Sequence, residues 1–153
     1  NDNTLWVTGG YGGTAGYAHE WLSTEYVRMT GTMPGPDLPM TLYLHAMVAI
    51  KRTFSMVIGG VSNYYSASTF FYDHNEGEWI NGPSLMQARG SHAAGIVTDE
   101  VTNEHFVAVT GGFYFSYYIG SLDYTEILQN GEWVEGNNIL SSGHFLVQKT
   151  LRI

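Results

Sequence analysis

The run Gly10-Tyr11-Gly12-Gly13-Thr14-Ala15 has the G-x-G-x-x-A spacing with which a strand-to-helix turn presents backbone N–H groups to a pyrophosphate. Ala18, Trp21, Leu22 and Tyr26 mark the apolar face such a helix needs. No acidic residue ends a second parallel strand to bind the ribose, and Ser23–Val27 reads as strand, so the dinucleotide reading is rejected. His45, His92 and His144 are the next candidates, since three imidazoles make a metal site when they converge. Each stands at the head of an apolar run, at one position of a repeat, which accounts for their recurrence through structural hydrogen bonding. His19, His74 and His105 show neither HxH nor HExxH spacing. There is no cysteine, hence no thiol nucleophile, thiolate metal site or disulfide framework. No G-x-S-x-G elbow occurs, and Asp99-Glu100 falls in a turn, where paired acids are solvated. No catalytic residue, metal site or cofactor is expected.

Charge narrows the partners further. With 6 Lys+Arg against 14 Asp+Glu the formal charge is −8, the wrong sign for neutralising phosphates. No stretch approaches the ~20 apolar residues of a membrane-crossing helix. Neither nucleic acid nor membrane is expected as a partner, and the compartment is not legible. The 153 residues suffice for one domain or part of one, and the opening Asn1 suggests a piece of something longer.

What must position any functional side chain is a repeat. Leu5-Trp6-Val7-Thr8, Met56-Val57-Ile58 and Val107-Ala108-Val109-Thr110 each run into a double glycine, Gly9-Gly10, Gly59-Gly60 and Gly111-Gly112, at intervals of about 50 residues. Ser23–Val27, Ser68–Tyr72 and Tyr124–Leu128 follow as β-branched and aromatic runs, then Gly77-Glu78-Trp79 and Gly131-Glu132-Trp133. Runs headed by His45, His92 and His144 complete the set. Each unit thus reads as four short antiparallel strands. Such a unit cannot bury both faces alone, and radial stacking solves that problem. The double glycines supply positive φ and close backbone approach; Trp79 and Trp133 supply apolar faces for a half-buried seam between units.

The order of strand, Gly-Gly, Thr-bearing strand, Glu-Trp, Gly82-Pro83 and Arg89-x-x-His92 resembles the Kelch repeat across essentially the whole chain. The resemblance implies an all-β, Kelch-like β-propeller segment with three four-stranded antiparallel blades at about 1–40, 41–90 and 91–140 and a closing strand at 143–153, either part of a propeller or half of a six-bladed ring. The first unit departs from the pattern, with Thr32 where the tryptophan belongs, and weaker packing on the neighbouring blade is expected there. One copper oxidase class similar to galactose oxidase uses Kelch-like blades, but its cofactor joins a tyrosine to a cysteine, and cysteine is lacking here.

In an up-and-down blade the loop between the second and third strands and the connection to the next blade leave the same face. Those loops carry Tyr11, Tyr17, Tyr64, Tyr65, Tyr114, Tyr117 and Tyr118, and the connections supply Arg89. Tyr and Arg are favoured anchors at binding surfaces. The expected function is a noncatalytic protein-interaction or scaffold module using this aromatic face. The alternative is a carbohydrate-binding or extracellular structural module. The chain opens on a second strand and closes on a first strand at His144–Val147. The further expectation is therefore that it either continues into more blades or pairs with a second copy as a six-bladed homodimer.

Overall fold

The computed structural model describes residues 5–14, 17–51, 53–115 and 118–138, with only the backbone described at 13, 14, 17–19, 137 and 138. Among the described residues there is no helix, and every strand pairing is antiparallel.

The first unit contains β1 (Leu5–Thr8), β2 (Tyr11–Thr14), β3 (Tyr17–Glu20), β4 (Thr24–Arg28) and β5 (Gly31–Pro34). β1, β4 and β5 form a three-stranded sheet, and β2 and β3 form a separate hairpin where the rejected dinucleotide reading would put a helix. The second unit is a four-stranded sheet of β6 (Ala46–Ile50), β7 (Phe54–Ile58), β8 (Thr69–Asp73) and β9 (Glu78–Asn81). The third contains β10 (Ala93–Thr98), β11 (His105–Thr110), β12 (Phe113–Phe115), β13 (Ile119–Ser121), β14 (Tyr124–Gln129) and β15 (Glu132–Asn138). Its four-stranded sheet runs β10-β11-β14-β15, and β12 and β13 form a second hairpin.

β7 shows why the strands read as continuous apolar runs. Successive side chains point to opposite faces, and both faces are covered. Val57 joins Leu38, Leu42 and Phe70 on the side of the first unit, with Trp79 packed against them. Met56 and Ile58 join Val48, Leu85, Val107, Val109 and Trp133 on the side of the third. The same polar bolts recur from unit to unit. Thr24 Oγ1 donates to the Pro36 carbonyl at 2.8 Å and Thr69 Oγ1 to that of Pro83 at 2.7 Å. Trp133 Nε1 also donates to Pro83, at 2.9 Å, which ties the third sheet to the second.

At the junction of the first two units, Trp6 stacks on Trp79 with centroids 5.6 Å apart and meets Tyr72 at 5.0 Å. Thr32 pairs with Val27, on the face of the first sheet opposite the one carrying Trp6, Tyr26 and Met33. The position lies on the face away from the second unit, so the packing between the first two units does not depend on the missing tryptophan. The turns at the opposite end are built locally: Asp73 Oδ1 accepts from the Asn75 and Glu76 amides, and Asp99 Oδ1 from those of Val101 and Thr102. The last two bonds lower the Asp99 pKa.

Candidate functional site

Both classes of loop meet at one end of the sheets. The connection at Tyr43 forms an antiparallel bridge with Val61, and Gly90 forms one with Phe113. Ser91 N donates to the Leu44 carbonyl at 2.9 Å, joining the two connections to each other. Glu20, at the end of the β2-β3 hairpin, reaches across to the second unit. Its Oε2 accepts from Thr41 Oγ1 at 2.8 Å and Ser62 Oγ at 3.2 Å. The Tyr11 ring lies 5.0 Å from that of Tyr43, and burial followed by the nearby Glu20 charge raises the Tyr43 phenol pKa. Glu20 has no counterpart in the repeat, and no pattern flagged it; an acid in an otherwise uncharged hairpin is its one sequence signal.

The tyrosines named from sequence divide by environment. Tyr64 is 77% exposed and Tyr118 is 85% exposed, with Tyr11, Phe115 and Ile119 also standing out from this end. Tyr64 is held outward by a tight turn in which Ser62 N donates to its carbonyl at 3.0 Å and Val61 bridges Tyr65. Tyr65 itself lies against Gly90, and Tyr114 covers its cross-strand partner Gly120. These two half-buried rings cover glycine backbone, where a missing side chain leaves room for them. Tyr17 is placed on β3, pairing with Thr14, with its side chain outside the described ones, and Tyr117 lies outside the described residues.

Arg89 corrects the sequence reading. Expected among the surface anchors, it is fully buried and paired with the equally buried Glu126. Its Nη1 also donates to the Gly111 carbonyl at 3.0 Å, and the guanidinium sits 4.9 Å from the Tyr124 ring centroid. The Glu126 carboxylate accepts further bonds from the amides of Met86 at 2.7 Å and Gln87 at 3.2 Å. A charge without water survives only when paired and hydrogen-bonded, which is why the arginine points inward to its acid. It is unavailable to a partner at the surface.

The glycines and histidines beneath this end pack together. Gly60, at φ 103°, and Gly112, at φ 94°, leave no room for a Cβ: it would come within 2.8 Å of the Cβ atoms of His45 and His92 respectively. Gly10, at φ 132°, has no atom of the described residues within 4 Å of the same position. His45 Nε2 shares a 2.8 Å hydrogen bond with Thr8 Oγ1, and burial lowers its pKa to about 4. His92 sits beside Ile58 at the place where His45 meets Thr8, but neither of its buried ring nitrogens has a hydrogen-bond partner among the described residues, so the structural hydrogen bond expected at this position forms at His45 and not at His92. Burial first and the Arg89 charge second lower the His92 pKa to about 3. Both rings are neutral at pH 7. Among the described residues no group of three His, Asp or Glu side chains is placed to hold a metal ion.

No family model matches this chain, and no curated protein matches its sequence. Its architecture does recur among solved structures. The structure of YjhT superimposes with a TM-score of 0.74 at 11% identity, covering 92% of this chain and 54% of that one. The chain thus spans about half the length of that structure, and the likeness is one of fold.

Proposed function

We propose that the three sheets are Kelch-like blades and that the chain is a noncatalytic interaction module binding a protein partner through its loop end. The observation carrying this reading is the division of the rings. Tyr11 packs on Tyr43 while Tyr65 and Tyr114 cover glycines; these hold the loops in shape, and Tyr64 and Tyr118 stand in solvent beside Phe115 and Ile119. Rigid aromatic anchors on a scaffold already cross-linked by Glu20 lose little freedom on binding, and that favours affinity.

The exposed Leu5 and Val7 of the first sheet, and Val97 and Val134 of the third, support further blades on either side. Those blades come from a longer chain or from a second copy. Affinity capture from the native source with the wild-type chain as bait, alongside a glycan array, tests the partner class. A single protein retained at stoichiometric level supports the reading. Glycan binding without a protein partner would replace it with the carbohydrate alternative.

A further inference from the structure

The end of the molecule opposite the loops holds a cleft of about 730 Å³ between the first two sheets. That lies inside the range of roughly 300–1,000 Å³ typical of small-molecule sites. It is lined by the start of β1, the ends of β4 and β6 and the start of β7. Trp6 and Tyr26 form an aromatic wall, and Met33, Met47 and Phe54 continue the apolar surface. The wall is rigid, because Trp6 stacks on Tyr26 at 5.8 Å from one side of the cleft and on Trp79 at 5.6 Å behind it. Ser55 Oγ and His74 Nε2, bonded to each other at 2.9 Å, place one polar spot in this lining.

Charge decides what the cleft accepts. Three Lys and Arg side chains are described, Arg28, Lys51 and Arg89. Arg89 is fully buried against Glu126 and out of reach of solvent; Arg28 and Lys51 are exposed and both line the cleft. In a chain of net charge −8, every described Lys or Arg that solvent reaches is therefore gathered at one concavity with an aromatic wall. Such a site attracts an anion where the remaining surface repels it. The apolar wall requires that the anion carry a ring or comparable apolar body.

We propose that this cleft is a binding site for a small organic anion, a carboxylate on an aromatic or alicyclic body. The body lies on Trp6 and Tyr26 with Met33 and Met47 closing around it, the methionines adapting to its outline. The carboxylate faces Lys51 and Arg28. The site is at the far end from the tyrosine loops and is independent of any protein partner bound there.

Calorimetric titration with 1-naphthoate, and with the neutral 1-naphthalenemethanol as control, tests this. The expected result is saturable one-to-one binding of naphthoate, weakened by salt, with the alcohol about tenfold weaker or worse. Lys51→Glu should weaken naphthoate by a similar factor and leave the alcohol unchanged. Ala49→Phe, at an exposed lining position, should abolish both, while Tm stays within about 3 °C of wild type. Equal affinity for acid and alcohol, naphthoate binding indifferent to both substitutions, or an acidic tripeptide such as Glu-Phe-Glu binding where naphthoate does not would each overturn the proposal.

Discussion

Arg89 and Glu126 occupy, between the second and third sheets, the positions that Leu42 and Phe70 occupy between the first and second. Leu42 and Arg89 present their carbonyls to Gly10 and Gly60 at 2.8 Å, and Phe70 and Glu126 pair with Val57 and Val109. One junction is filled by an apolar pair and the next by a buried ion pair at the same geometry. Breaking a buried pair from one side costs about 3–5 kcal/mol, because the surviving charge stays unpaired, whereas a well-packed apolar replacement is often neutral. Arg89→Leu and Glu126→Phe should therefore each destabilise by about that amount, and the double variant should recover most of the loss. Urea unfolding of the four proteins measures the cycle. Additive losses would mean that the junction does not accept the apolar pair.

The buried histidines give stability a defined pH dependence. Their folded pKa values, about 4 for His45 and about 3 for His92, lie below the unfolded value near 6.5. Above that value both states are neutral and the histidines contribute no pH dependence. As pH falls below it, the unfolded chain binds protons that the folded chain refuses. Stability then drops by ~1.4 kcal/mol per pH unit for each histidine until the folded pKa is reached. Unfolding free energies at pH 7.5, 5.5 and 4.5 should show this slope, and His92→Gln should remove about half of it. A His92→Gln slope equal to that of wild type would contradict the assignment.

Gly60→Val and Gly112→Val should cost about 3 kcal/mol or more, since positive φ strains a β-branched residue and its Cβ meets an inner histidine. Gly10→Val meets the same strain but no clash among the described residues, so its loss should be smaller by about 1–3 kcal/mol. Thermal melts of the three variants rank them. Equal losses at Gly10 and Gly60 would show that packing against His45 contributes nothing.

Much of the strand plan was legible because the repeat wrote it more than once. The runs at Ser23, Ser68 and Tyr124 became β4, β8 and β14 within a residue, and those at His45 and His92 became β6 and β10. The hairpins β2-β3 and β12-β13 read as loops, since Gly12-Gly13 and the crowded aromatics at Phe113–Tyr118 interrupt any two-residue alternation. Arg89 reads as a surface residue for a different reason. Sequence shows that a residue carries charge, but its buried partner lies on another sheet, where Phe70 in the preceding unit gives no hint of a carboxylate. The last strand expected, at His144–Val147, falls outside the described residues.

The division between supporting and displayed rings is tested by substituting them separately. Tyr65→Ala and Tyr114→Ala remove rings that cover Gly90 and Gly120, and each should lower stability by about 1–3 kcal/mol. Chemical denaturation measures this. Losses no larger than those of exposed positions would show that the covering rings do not hold the loops.

The most direct measurement is the affinity of the captured partner for the wild-type chain and for Tyr64→Ala/Tyr118→Ala, read beside the thermal melt of each. Both rings are exposed, so the double variant should melt within about 3 °C of wild type and bind roughly a hundredfold more weakly. Unchanged affinity, or a collapse of the melting temperature, would contradict the claim that this end of the molecule is its binding surface.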